Sequence, residues 1–209
     1  MKIAVRHGFK PGTQLPGSIS EHHKPLYFAD QNWKKPNKDK YVEAVRKYKP
    51  TMATVIDWER AGQLPVVLEW AEEIADTVEY IVVVPKVVGG IPLIPDRIGG
   101  KQVVLGYSVP TKYGGTPVPP WEFGGRLVHL LGGSPHRQQE YWRSMCMYAT
   151  IMSMDGNYHN MKATKFCEFW QNGKWIPLTR EGGEIWGENA PYEAFERSCI
   201  NIRRVWDEL

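Results

Sequence analysis

Cysteine is scarce. The three, Cys146, Cys167 and Cys199, are odd in number and far apart. They do not read as a disulfide framework, and no C-x-x-C pair suggests structural zinc, so buried thiols are expected. No apolar run approaches the length of a membrane span. The opening residues, MKIAVRHGFKPG, contain no apolar signal-type core, so a cytoplasmic protein without membrane contact is expected. The glycine pairs at 89–90, 99–100, 114–115, 124–125, 132–133 and 182–183 never give G-x-G-x-x-G after a strand, which argues against a dinucleotide fingerprint. They fit tight turns and close backbone approaches. No acid stands near a histidine at a metal-ligand spacing, and His22-His23 reads as loop, so neither metal nor cofactor is expected. No internal repeat is visible.

The chain has 209 residues, 42% of them hydrophobic, which fits one domain over 1–209 with a sizeable core. The net charge of +3 is unevenly spread. Residues 34–49, KKPNKDKYVEAVRKYK, hold seven Lys or Arg against two acids. Such a stretch attracts phosphates or forms a solvated helix face. Nine Trp and ten Tyr can stack on bases or fill a core.

The most legible segment is 127–157, LVHLLGGSPHRQQEYWRSMCMYATIMSMDGN. Val128, Leu130 and Leu131 make a short strand that Gly132 and Gly133 break. Ser134-Pro135 is a helix start, with a capping hydroxyl followed by a proline whose missing N–H costs nothing. Tyr141, Trp142 and Met145 give that helix its apolar face. A second apolar run, Ala149 to Met154, ends at Asp155. A βαβ unit of this length implies parallel strands, whose carboxyl ends collect chemistry in α/β folds.

Elsewhere, Lys2–Val5, Leu26–Ala29, Met52–Ile56, Tyr80–Val84 and Val103–Val109 read as strands. Residues 39–48 and 63–78 read as helices, and 8–25, 89–100 and 111–120 as loops. Trp121–Phe123 reads as a short helix. Aromatic runs on either side of Asn172-Gly173 predict a hairpin, and 191–207 a terminal helix. The fold that fits best is α/β: a compact (β/α)8 TIM-like barrel, complete or short of a strand, with a β-hairpin and a C-terminal helix after it. A doubly wound open sheet is the alternative.

Three aspartates, Asp30, Asp57 and Asp155, follow three apolar strands. Each can cap a helix or make an Asx turn. Together in one barrel mouth they suit sugar-transfer chemistry, with one carboxylate attacking an anomeric carbon and another moving protons. Metal binding by the same acids is the other option. The helix start at Ser134 can present N–H groups to a ligand or serve as a plain cap.

The order LYFADQNW, MATVIDWE, VVLGYSVP, VHLLGGSP and SMDGN, then KFCEFWQNGKW, resembles the tRNA-guanine transglycosylase superfamily over residues 26–175. The resemblance implies base exchange. Asp155 would be the nucleophile at C1′ and Asp30 the general acid/base. Asp57 would receive the base's N1–H and 2-amino groups, with Ser108, Gly132, Gly133 and Ser134 lining its pocket. The tRNA enzymes carry a zinc site of three cysteines and a histidine after the nucleophile, whereas here only Cys167 lies just beyond Asp155. QNWKK stands after Asp30 in place of a glycine-rich turn. The chain therefore resembles more the reduced phage and bacterial relatives that place 7-deazaguanine bases into DNA. DNA is then the expected partner, with tRNA as runner-up and a preQ0-type 7-deazaguanine as the small substrate. The target base would leave its stack, meeting Trp33, Trp58, Tyr107 and Tyr113. Lys34, Lys35, Lys38, Lys40, Lys112 and Arg137 would grip phosphates. The competing readings are another nucleoside or sugar glycosylase and a non-catalytic nucleic-acid binding module.

Overall fold

Uncharged, β-branched runs build the centre of this molecule, because a parallel strand is covered on both faces. The computed structural model describes residues 2–17, 19–112, 114–179 and 187–209. In chain order its elements are α1 (Lys2–Arg6), β1 (Gly12–Leu15), β2 (Phe28–Gln31), α2 (Lys38–Tyr48), β3 (Met52–Thr54), α3 (Leu64–Ile74), β4 (Tyr80–Val83) and β5 (Arg97–Ile98). There follow β6 (Lys101–Ser108), β7 (Leu127–Leu131), α4 (Pro135–Met145), β8 (Thr150–Met154), α5 (Tyr158–Phe166), β9 (Glu168–Gln171), β10 (Lys174–Pro177) and α6 (Ala190–Asp207).

The strands pair in the order β1-β2-β3-β4-β6-β7-β8, all parallel, while the short β5 runs antiparallel to β6. One ring contact shows that this sheet curls. Phe28 on β2 and His129 on β7 have ring centroids 4.7 Å apart. In a flat sheet, four strand spacings would separate β2 from β7 by about 19 Å. Only a sheet bent toward itself brings the two rings together. Its concave face is lined by Phe28, Met52, Val82, Val84 and Val104. Its convex face carries Ala29, Ala53, Ile81, Val83, Val103, Leu105, Val128 and Leu130, which pack on the helices.

The expected (β/α)8 barrel is corrected by this topology. Seven parallel strands form an open half-barrel, and the six helices among the described residues do not alternate with them. No pairing joins β1 to β8. The chain flanking those two edges meets through helices instead. Phe9, just before β1, touches the His159 ring on α5, which stacks on Phe195 of α6 at 5.2 Å. Arg6 and His7 both reach Glu196 of α6, at 2.5 and 2.8 Å. Burial between these elements pushes the His159 imidazole down to about 4.

Several elements follow their local signals. In α2, Asn37 caps the Lys40 N–H at 3.1 Å, and Tyr41, Val42, Ala44 and Val45 are buried along one face. In α4, Ser134 is the N-cap and Pro135 opens the helix. The hairpin turns at Asn172-Gly173, both at positive φ. Other expectations fail. Lys2–Val5 is helical and packs on α6, and the 8–25 segment hides strand β1. The Met52 strand and the Leu64 helix are shorter than their apolar patterns. Trp121–Phe123 does lie in a short helix, the 3-10 turn Pro120–Phe123, while α5 had no clear signal.

The hairpin is tied to α6 by Ser198, whose buried Oγ accepts the Trp170 N–H at 2.9 Å. Ser198→Ala strands that amide in an apolar setting and should cost about 1–3 kcal/mol. Urea unfolding reads this as a lower midpoint at unchanged slope; an unmoved midpoint would show that the bond does not support the docking.

Candidate active site at the sheet rim

Parallel strands all end on one side, so the residues after β2, β3, β4, β6, β7 and β8 share a rim. Along β2 the side chains alternate, placing Phe28 on the concave face and Ala29 in the convex core. Asp30 therefore turns the same way as Phe28. On the neighbouring β3, Thr54 donates its hydroxyl to Asp30 Oδ1 at 2.9 Å and accepts the Gln31 N–H at 2.8 Å. Tyr41, fully enclosed, fixes this corner by donating to the Thr54 carbonyl at 2.5 Å. Its phenol is pushed well above the usual tyrosine range by burial and then by the Asp30 charge.

Burial, and then the negative charge of Asp155, push the Asp30 carboxyl up to about 7; Asp57 adds to this, while the Thr54 hydrogen bond opposes it. Both other acids thus act on Asp30: Asp57 follows the neighbouring strand β3, whereas Asp155 follows β8 at the far edge of the sheet. Asp57 meets Lys86, whose Nζ lies 2.7 Å from Oδ2 and 3.5 Å from Glu59. Burial raises the Asp57 carboxyl, and Lys86 restrains the rise. The backbone keeps the two in register: Trp58 N donates to Val84 O and Lys86 N to Trp58 O, at 2.9 and 2.8 Å.

Asp155 sits at the end of β8. Its Oδ1 accepts the Gly132 N–H at 2.9 Å, and its own N–H donates to Leu130 O at 2.9 Å. Gln138, one turn into α4, donates from Nε2 to Gly132 O at 2.8 Å and to the Asp155 carbonyl. Gly132 and Gly133 both have positive φ, and a Cβ on Gly133 would come within 2.8 Å of Val109. The amide aimed at Asp155 therefore depends on glycine. His129 Nε2 lies 3.7 Å from Asp155 Oδ1.

The remaining expected residues scatter. Ser108 ends β6, and its carbonyl accepts the Thr116 N–H at 2.9 Å. Ser134 caps α4, accepting the Arg137 N–H at 3.4 Å. Arg137 pairs with Glu140 at 2.6 Å and lies over the Tyr141 ring. Lys34 and Lys35 are exposed in the turn after β2, with Lys34 over the exposed Trp33 ring. Lys38 is held by Glu69 and Glu73 at 2.6 and 2.7 Å, which leaves it little reach for phosphate. Lys40 and Lys112 are exposed. Trp58 is fully buried and donates to Arg60 O, and Tyr107 packs between Phe123 and Tyr141. Both are core residues, not faces for stacking a base, and Tyr113 lies outside the described residues. The space beside Gly106 is filled by Leu131 and Val84, so that glycine serves packing.

Sequence reasoning passed over Thr54, Gln138 and His129. The signal for His129 was available: a polar residue between Leu127 and Leu131 on the inward face of an apolar strand. A cleft of about 430 Å³ lies elsewhere, among His136, Arg143, Trp170, Asn172 and Val205, and touches none of the three acids. Among the described residues, no three His, Cys, Asp or Glu side chains are grouped to hold a metal, and no helix is long and apolar enough to cross a membrane.

Residues 4–207 match the model of a family described as a family of unknown function, DUF6610. No curated protein and no solved structure matches the chain.

The raised Asp30 carboxyl has a consequence for stability. Its unfolded value is near 4 and its folded value near 7, so the neutral form favours folding. That contribution is full below about pH 4 and is lost as pH rises through about 7. His159 works in the opposite direction between about 6.5 and 4, because only the unfolded state is protonated there. Comparing Asp30→Asn with wild type cancels the histidine. The variant should gain stability relative to wild type at pH 8 by more than at pH 5. An equal difference at both pH values would show that Asp30 is an ordinary carboxylate.

Proposed function

The chain belongs to the DUF6610 family of unknown function, and from the geometry of its rim we propose that it is a pentosyltransferase, exchanging guanine in DNA for a 7-deazaguanine base through a covalent glycosyl–Asp155 intermediate. The observation that carries the reading is the meeting of Asp30 and Asp155 at one rim, each held by a different kind of donor: Thr54 hydroxyl for Asp30, Gly132 amide for Asp155. Environments that separate two carboxyls divide acid from nucleophile. Asp155 stays open enough to attack, with its side chain about a third exposed.

In this mechanism an Asp155 carboxylate oxygen bonds to C1′ as the C1′–N9 bond breaks and its electron pair leaves with guanine. Asp30, neutral at its raised value, gives its proton to the departing base. The incoming 7-deazaguanine then loses its N9 proton to Asp30 and attacks C1′, and the Asp155 carboxylate departs. Asp57 keeps Oδ1 for the donor edge of the base while Lys86 occupies Oδ2. Ser108 and the Gly132–Ser134 turn are the neighbouring rim residues. Lys34, Lys35, Lys112 and Arg137 are the proposed phosphate contacts. DNA is favoured over tRNA because no cluster of three cysteines and a histidine follows Asp155 in the sequence. A cytoplasmic setting, that of the host for a phage protein, fits this substrate.

Incubation of the protein with DNA and labelled guanine or preQ0-type base, followed by nucleoside mass spectrometry, tests the reading. Wild type should incorporate label, and Asp155→Asn should lower incorporation by at least about 10³-fold. Incorporation by the variant, or none by folded wild type into DNA or RNA, would overturn it. Release of base with no incoming base required would point to a hydrolytic glycosylase. Because the first step needs neutral Asp30, the rate should fall as pH rises through about 7; a flat profile from 6 to 8 would remove Asp30 from proton transfer.

A further inference from the structure

The inward side of β7 holds a polar group that the mechanism above leaves idle. His129 is almost wholly enclosed, yet its Nε2 has no hydrogen-bond partner. A buried polar atom left unpaired is destabilising, so its persistence calls for a reason. The nearest acid is Asp155, with Oδ1 at 3.7 Å. The ring's other nitrogen, Nδ1, lies 2.7 Å from Ser153 Oγ, and Phe28 covers the ring at 4.7 Å.

Ser153 occupies that place because of a β-bulge. The β7–β8 register runs Val128 to Ile151 and then His129 to Ser153, so Met152 is the extra residue. Without the bulge, Met152 would stand opposite His129 and Nδ1 would face a thioether. Bulges near functional sites re-aim side chains in this manner.

Resting on the reading of Asp155 as nucleophile, we propose that His129 is a positioning residue, whose Nε2–H takes Asp155 Oδ1 and leaves Oδ2 as the oxygen that attacks C1′. A serine hydroxyl can donate to or accept from Nδ1, so the carboxylate selects the tautomer: Ser153 donates to Nδ1 and the imidazole proton stays on Nε2. The opposite tautomer would aim a lone pair at a carboxylate. Since Ser153 and Phe28 clamp the ring, closing the remaining gap falls to the more exposed Asp155 side chain. Oδ1 then accepts from both Gly132 N–H and His129 Nε2–H. When the incoming base attacks C1′ and the Oδ2–C1′ bond breaks, the charge returning to the carboxylate meets two fixed donors.

The test uses the full-length protein with His129→Phe, His129→Gln and Ser153→Ala, each checked by thermal melting. Phenylalanine keeps the ring contact with Phe28 and removes both nitrogens, whereas the glutamine amide can return a donor near Nε2. Base-exchange kcat should fall about 10–100-fold in H129F with KM for the base unchanged, and recover to within about 5-fold of wild type in H129Q. S153A should fall between them, and it carries the test together with H129Q if H129F fails to fold. Imidazole ¹⁵N spectra read the contact independently of activity: wild type should show the Nε2–H tautomer, and Asp155→Asn should shift its resonance. Wild-type kcat in folded H129F, an Nδ1–H tautomer, or a His129 resonance indifferent to Asp155→Asn would each overturn the proposal. If the tautomer and the shift are as expected but wild type exchanges no base, the contact stands and the transferase reading falls.

Discussion

Everything at the rim depends on the contact between Phe28 and His129 across the concave face. It joins strands that a flat sheet would hold far apart, and its cause is apolar. Phe28, Met52, Val82, Val84 and Val104 bury one another only if the sheet bends. The same bend swings the end of β2 toward the end of β8, and so Asp30 toward Asp155. The curvature that fills the inner core thus assembles the acids. Filling the core also closes off space: Leu131 and Val84 occupy the place beside Gly106, so a ligand has to sit above the strands, at the rim.

At that rim, burial and then proximity decide charge. Burial, and then the charge of Asp155, favour the neutral form of Asp30. Asp155 has an amide from Gly132 and stands more open to water, whereas Asp30 is deeper and has a single hydroxyl. Asp57 follows a third course, neutralised by Lys86. Three acids of one type thereby acquire three characters, through register and burial alone.

Much of this was legible in the amino-acid sequence, and the failures share a cause. The 127–157 unit was readable because each of its signals is local: an apolar run, a glycine break, a Ser-Pro cap. The three acids could be found because each ends such a run. Barrel closure was over-read, since successive parallel strands look alike whether or not the first and last ever pair. Strand β1 was hidden because GTQL is short and lies between Pro11 and Pro16, both turn signals. α1 was misread because the packing that makes it helical comes from α6, at the far end of the chain. His129 was visible as a polar residue in an apolar strand, but its role was not. Its meaning comes from Ser153, and the bulge that aligns the two is a property of pairing, invisible in either strand alone.

The central claim is that Asp30 holds a proton near neutral pH because it is buried and, second, because the charge of Asp155 acts on it. Carboxyl ¹³C titration of Asp30, in wild type and in Asp155→Asn, measures that directly. A midpoint near 7 in wild type that drops in the variant is the expected result. A midpoint near 4 in both proteins would contradict it, and with it the division of Asp30 and Asp155 into acid and nucleophile.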